Sequence, residues 1–255
     1  MKRTIIIAAA LAAGVLSLSS CLKDTGPDYS IFYPNALVTC KTNEGGEFYL
    51  QLDDKTTLKP LNLQSSPFKK QVRALTNFTD KGEYTPSGDG AKFDRAVEIN
   101  WIDSVRTKEP VQSTGDRVGD DEVYGTAPIE IINNWATVLE DGYLTLVFCA
   151  DWGNPHKAHA VNLVAGSDSD DPYYLEFRHD ALDDKFDMGG TRMNGIIAFD
   201  LSSLPDTGGE TVKMTIRYLS FTGERKISFD YCSGVASVTG SQASLSALSK
   251  GIVIK

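Results

Sequence analysis

What most constrains this chain is a succession of short runs in which apolar and polar residues alternate, each closed by glycine, proline, asparagine or aspartate. Alternation with a period of two points one face of a strand inward, whereas a helix needs a period near 3.6. Ala36–Lys41 and Glu47–Leu52 alternate and flank Asn43-Glu44-Gly45-Gly46, a hairpin signature. Asp53-Asp54 ends the second run, and Thr57–Leu63 is a short third run containing Pro60. Gln71–Phe78 reads as the next strand, and Ala96–Ser104 closes the set with Val97, Ile99 and Trp101 on one side. Five such runs between residues 30 and 107 predict a small, partly open barrel.

The same pattern resumes in residues 128–233. Trp135–Leu139 and Tyr143–Ala150 flank Glu140-Asp141-Gly142, read as a three-residue hairpin loop with glycine where a positive φ is needed. His159–Val164, Tyr173–His179, Gly195–Leu201, Val212–Ser220 and Lys226–Cys232 follow at the spacing of an antiparallel β-sandwich. Between the two units, residues 108–127 have no apolar period and read as a polar linker, with Asp120-Asp121-Glu122 as a solvated loop. Residues 234–255 are rich in Ser, Ala and Gly and read as a flexible tail, with Gly251–Lys255 as a candidate edge strand. The expected fold class is all-β in two domains.

The N-terminus carries an address. Lys2 and Arg3 precede an apolar run from Ile5 to Leu18, which ends in Leu18-Ser19-Ser20-Cys21. A positive segment, an apolar segment and small residues before the cut make a secretory signal. A cysteine directly after Leu-Ser-Ser makes it a lipoprotein signal: residues 1–20 are removed, and Cys21 takes a diacylglyceryl group on sulfur and an acyl chain, such as palmitate, on its new amine. Ile5 to Leu18 is short for a transmembrane helix, which needs ~20 apolar residues. Residues 21–29 form the lipidated tether. The membrane is therefore an expected partner, and the outer membrane the expected location.

Charge narrows the other partners. The formal charge of −9 becomes −11 once Lys2 and Arg3 are gone, and the excess acid lies beyond residue 107. Phosphate backbones need clustered Lys and Arg, so nucleic acid is not expected. Cys40, Cys149 and Cys232 remain after lipidation, each in or at the end of an apolar run, and read as small buried hydrophobes or, for Cys149 and Cys232, as a cross-strand disulfide.

The sequence holds no Gly-x-Ser-x-Gly elbow, and His156, His159 and His179 are its only histidines. His159 and His179 could meet across strands with Asp180 or Asp151 nearby, for a zinc site or a hydrolytic centre, or as ordinary hydrogen-bonded histidines. Asp168-Ser169-Asp170-Asp171 and Asp183-Asp184-Lys185-Phe186-Asp187 read as turns rather than calcium loops. Trp135, Tyr143 and Trp152 read as core packing, with a sugar platform as the alternative. No catalytic residue, metal site or cofactor is expected.

One set of motifs, in order, is similar to a known family. It runs Phe48-Tyr49-Leu50-Gln51-Leu52-Asp53-Asp54, Val72-Arg73-Ala74-Leu75, Asn100-Trp101-Ile102-Asp103-Ser104, Asp141-Gly142-Tyr143-Leu144-Thr145-Leu146, Trp152-Gly153-Asn154-Pro155, Val161-Asn162-Leu163, Tyr174-Leu175-Glu176-Phe177-Arg178-His179 and Ala198-Phe199-Asp200-Leu201-Ser202-Ser203-Leu204-Pro205. It resembles the NigD-like lipoproteins of Bacteroidales-type bacteria. The resemblance implies an N-terminal OB-type barrel, a C-terminal β-sandwich and an envelope lipoprotein, and it supplies no catalytic residues. On an OB face, Phe48, Phe78 and Trp101 would stack on a ligand and Lys69, Lys70 and Arg73 would meet a phosphate, unless the aromatics fill the barrel. The expected function is non-catalytic binding of a protein or glycan at the outer membrane. The alternatives are a bacteriocin-associated immunity or export accessory, and a hydrolase using sandwich-loop His and Asp.

Overall fold

The computed structural model describes residues 29–234 apart from 88–89 and 187–188. The signal segment, Cys21 and its lipidation, most of the tether and tail residues 235–255 lie outside the described residues.

The first domain has five strands: β1 (Ala36–Thr42), β2 (Phe48–Gln51), β3 (Thr57–Pro60), β4 (Val72–Glu83) and β5 (Arg95–Ser104). Their order is β1-β2-β3-β5-β4, with β3 parallel to β5. Because β1 pairs with both β2 and β4, the barrel closes fully rather than staying partly open, and no edge is left to aggregate. Ala36, Val38, Cys40, Phe48, Leu50, Leu58, Val72, Ala74, Val97 and Ile99 fill it.

The second domain begins earlier than the pattern predicts. β6 (Thr107–Lys108) and β7 (Val111–Gln112) already join its sheets, and α1 (Arg117–Tyr124) packs on the second sheet. Residues 108–127 are thus part of the sandwich and not a linker. The helix escapes a periodicity test because it leaves Val118 and Val123 exposed and is held by polar contacts. Asp116 caps it by accepting from the Gly119 N–H. Asp120 is buried, not solvated, and accepts from Ser113 Oγ and from the amide and hydroxyl of Thr114. Burial pushes its carboxyl up, but those donors outweigh it and leave it below the ordinary range. Asp121 pairs with Arg178 at 2.6 Å, which ties the helix to the sheet.

The remaining strands are β8 (Ile129–Ile131), β9 (Val138–Glu140), β10 (Tyr143–Trp152), β11 (Ala160–Ala165), β12 (Tyr174–Asp180), β13 (Thr191–Asp200), β14 (Val212–Ser220) and β15 (Gly223–Tyr231). One sheet runs β6-β13-β10-β8, with β9 also on β10; the other runs β15-β14-β12-β11-β7. The sandwich is mixed rather than purely antiparallel. β13 crosses to the opposite sheet between β12 and β14, so those two strands return side by side in the same direction. Leu144, Leu146, Phe148, Trp152, Phe177, Ile197, Phe199 and Ile216 are among the side chains that make the inter-sheet core. The β9–β10 loop is tighter than read. Glu140 pairs with Tyr143, so only Asp141 and Gly142 turn, both at positive φ (51° and 76°), as a two-residue hairpin turn requires.

Candidate functional site

Two polar constellations stand out, one sealed inside the sandwich and one where the domains meet. The first contains the histidine pair. β10 ends at Trp152, His159 sits just before β11, and His179 lies on β12, so pairing β11 with β12 brings both imidazoles together. His159 Nδ1 lies 2.7 Å from His179 Nε2, and both rings are buried. The acid is neither Asp151, which pairs with Arg192, nor Asp180, which accepts from the Leu182 N–H. It is Asp184, 3.1 Å from His159 Nε2 and also accepting from the Gly153 and Asn154 amides. Trp152 stacks on His159, ring centres 4.2 Å apart.

The partners fix the protons. Pro128 O, 3.1 Å from His179 Nδ1, only accepts, so that nitrogen donates, and because burial keeps a second proton off the ring, His179 Nε2 accepts. His159 Nδ1 must then donate to it, and its Nε2 faces a carboxylate, which also only accepts. Both His159 nitrogens therefore face acceptors, and His179 is neutral. Burial, followed by the Coulombic effect of His159, pushes the His179 imidazole down to about 4, against the pull of Pro128 O. Burial pushes Asp184 up, but the Asn154 amide, His159 and the Gly153 amide hold it below the ordinary carboxylate range.

This geometry suits structure more than chemistry. Two nitrogens on one tetrahedral zinc at 2.0–2.1 Å would stand ~3.3 Å apart, further than the hydrogen-bonded 2.7 Å seen here. His156 is exposed and outside the cluster. Among the described residues, no group of three or more His, Cys, Asp and Glu is placed to hold a metal ion. The sequence signal for the acid is Trp152-Gly153-Asn154: a side chain on Gly153 would come within 1.9 Å of Lys185 O, so only glycine lets the Asp184 loop seat. Gly153→Ala should unseat that loop at a cost of about 2 kcal/mol in urea unfolding. It should also make residues 181–186 newly cleavable by protease, whereas unchanged cleavage would remove the loop's dependence on glycine.

The second constellation joins the domains. β1 and the start of β4 are buried on both faces because their outer faces meet the sandwich. Leu37, Leu75 and Val105 pack with Ala136, Val138, Val147 and Ala198, flanked by Trp135 and Ile196. At the edge of this seam, fully buried Arg73 donates to Thr39 Oγ1 and to Glu140. Arg73 is thus spent on the seam and does not contact a ligand phosphate. Burial pushes the Glu140 carboxyl up, although Arg73 opposes it. Lys41 pairs with Asp141, and the Asp141 amide donates to Asp54 Oδ1 at 3.1 Å. Beside these pairs lies a cleft of about 360 Å³, lined by the sandwich and, from the barrel, by Gln71. Gln71 comes from the barrel and donates to Tyr143 Oη at 2.8 Å, while Asp141, Asp200, Asp206 and Tyr231 come from the sandwich. No lysine or arginine lines it among the described residues.

The other sequence candidates have ordinary surroundings. Phe48 is in the barrel core, Phe78 packs against that core, and Lys69 and Lys70 are exposed. Trp152 and Tyr143 are buried and Trp135 is half-buried, so they form no exposed sugar platform. Asp168 and Asp171 cap their own turns, accepting from the Asp170 and Tyr173 amides. Cys149 and Cys232 do not bridge. Cys149 faces out from the first sheet beside Glu130 and Asn194, Cys232 follows β15 near Thr207, and both thiols, like that of Cys40, are free.

Comparison with known proteins agrees with this architecture. Residues 37–105 match the family model described as the NigD-like N-terminal OB domain, and residues 109–231 match the NigD-like C-terminal beta sandwich domain. A protein from Parabacteroides distasonis named as toxin-related is 36% identical, with a TM-score of 0.62 over 78% of this chain and 93% of that one. A protein of unknown function from Bacteroides vulgatus shares the fold at 17% identity and a TM-score of 0.59, over 81% of this chain and 94% of that one. A NigD-like immunity protein from Bacteroides caccae shares it at 18% identity and a TM-score of 0.51, over 78% of this chain and 96% of that one. No protein with a curated description matches the chain.

Proposed function

This chain belongs to the NigD-like family, and from that premise we propose that it is a lipid-anchored outer-membrane protein that binds a partner and performs no chemistry. The observation that carries this reading is the cleft at the domain junction. It is lined by the sandwich and by Gln71 of the barrel, presents Asp200 and Asp206 beside an Asp141 already paired with Lys41, and has no lining cation among the described residues. Such a wall favours a partner that presents lysine or arginine. The buried histidines, whose ring nitrogens are all engaged, support the non-catalytic part. The second reading is a bacteriocin-associated immunity or export accessory; the Parabacteroides relative is named as toxin-related and no more.

The test is affinity capture from native envelopes with the full chain and with the double variant Asp200→Asn/Asp206→Asn, which removes two cleft charges. The wild type should hold a basic protein at least tenfold more tightly than the variant. Equal retention would remove the cleft from the argument, and a captured secreted toxin would select the second reading. Repeated turnover of any small substrate by the purified protein would overturn binding as the whole function. Acyl labelling that disappears in Cys21→Ser would support the anchor.

A further inference from the structure

Where the β2–β3 loop of the barrel meets the β9–β10 turn of the sandwich, acid outnumbers base. The loop brings Asp53 and Asp54, and the turn brings Glu140 and Asp141. Two cations reach them: Lys41 on β1 pairs with Asp141, and Arg73 on β4 pairs with Glu140. Lys55, next along the loop, is exposed. Tyr143, just past the turn, keeps its phenol proton because burial pushes it up. Asp53 folds back on its own loop and accepts from the Lys55 and Thr56 amides. Asp54 pairs with no cation among the described residues. Across the seam it meets the Asp141 amide, which donates to its Oδ1 at 3.1 Å.

Unpaired polar atoms gather at this junction. Among the described residues, five side-chain atoms shut from solvent lack a hydrogen-bond partner, and Asp54 Oδ2, Asp141 Oδ2 and Arg73 Nε are three of them. Arg73 does not resolve the shortage. Its terminal nitrogens are spent on Thr39 and Glu140, and its pull on Asp54 is weaker than the push of either Asp141 or Asp53. The other two atoms are carboxylate oxygens, which only accept, so two ionised aspartates cannot satisfy each other. Carboxylates that share a site do not both ionise freely, and the one with less support takes a proton. Lys41 supports Asp141. Asp54 has no such support, and burial, followed by the charges of Asp141 and Asp53, pushes its carboxyl up against the pull of the Asp141 amide and Arg73.

We infer that a proton on Asp54 latches the two domains together, with the Oδ2–H of Asp54 donating to Asp141 Oδ2 across the seam. One proton turns an unpaired acceptor into a donor and supplies the other acceptor at the same time. When it leaves, two anions face each other and the β9–β10 turn loosens from the barrel. A carboxyl held above its ordinary 3.8 in the fold adds stability that is complete below that value and is lost as pH rises through the folded value. Asp141 also lines the cleft, so a rising pH should loosen one side of it. The latch needs no partner, and it stands or falls separately from what the cleft binds.

The test follows the aspartate carboxyl carbons of the full chain by NMR from pH 3 to 9, assigned through their backbone connectivities. In the wild type the Asp54 carboxyl should titrate above 3.8, and in Asp141→Asn its midpoint should fall. Asp54→Asn carries a permanent N–H donor at this position. In urea unfolding at pH 8 it should favour the folded state about threefold or more over the wild type, an advantage that shrinks toward pH 4. An Asp54 carboxyl that titrates at or below 3.8 overturns the latch, and this measurement needs no variant. A raised midpoint that Asp141→Asn leaves unmoved assigns the proton to burial alone and overturns the bond across the seam. Urea profiles of wild type and Asp54→Asn that run parallel from pH 4 to 8 overturn its contribution to holding the domains.

Discussion

Replacing Arg73 by alanine should destabilise the protein by about 3–5 kcal/mol, the range for removing one partner of a buried ion pair. The guanidinium is fully buried, and its loss strands the Glu140 carboxylate in a place that already pushes its pKa up. Thr39 Oγ1 loses its donor as well. The converse result is equally informative. Arg73→Met combined with Glu140→Leu should recover most of the loss, because apolar side chains of similar volume satisfy a seam already made of Leu37, Leu75, Val138 and Val147. Urea unfolding of the two single variants and the double variant gives the coupling directly. A cost below about 1 kcal/mol for Arg73→Ala would mean that the pair is solvated and the seam open. The same experiment bears on the cleft. Gln71 lies two residues from Arg73, and Tyr143 lies three from Glu140, so loosening the ion pair should also weaken whatever the cleft holds.

The parts of this fold that can be read from sequence are those where one face is wet and one is dry. Glu47–Leu52, which becomes the alternately buried β2, shows period-two alternation, and the turns at Asn43–Gly46 and Asp141-Gly142 carry glycines whose positive φ is visible in their identity. What resists reading is whatever a second layer covers. β1 and the start of β4 are buried on both faces, and only the sandwich explains why Leu37 and Leu75 are apolar. Strand direction is equally silent, since β12 and β14 run parallel only because β13 leaves for the other sheet. α1 is invisible to hydrophobic period because Asp116, Asp120 and Asp121, not leucines, hold it. In the histidine cluster, the pairing of His159 with His179 can be anticipated from strand order. The acid cannot, because Asp184 reaches the site through a loop whose only local sign is the bare Gly153.

Acid should unfold this protein through His179 earlier than its carboxylates alone would allow. The imidazole is held at about 4 in the fold, against an ordinary 6.5 in the unfolded chain. Above pH 6.5 both states keep it neutral, and its contribution to stability is fully present. As the pH falls from 6.5 toward 4, the unfolded chain takes up a proton that the folded chain refuses, so stability falls by about 1.4 kcal/mol per pH unit at steepest and about 3 kcal/mol in all. Below pH 4 the folded chain protonates too, which turns the accepting His179 Nε2 into a donor 2.7 Å from His159 Nδ1. Asp184, held below the ordinary carboxylate value of 3.8, adds a further loss in that lower range. Glu140 and Asp54 work in the opposite direction. Burial raises both carboxyls, so their contribution is greatest at low pH and is lost as pH rises through their folded values. A bare stability profile therefore mixes opposite slopes, and the comparison that isolates the histidine is His179→Gln, which does not titrate and keeps an oxygen able to accept from His159 Nδ1. Urea unfolding at pH 7, 6, 5 and 4 should show the wild type losing about 3 kcal/mol more than the variant over that span, with nearly all of the difference gained below pH 6.5. Parallel profiles for the two proteins would mean that His179 protonates freely in the folded state, and its role as the acceptor for His159 Nδ1 would fall with it.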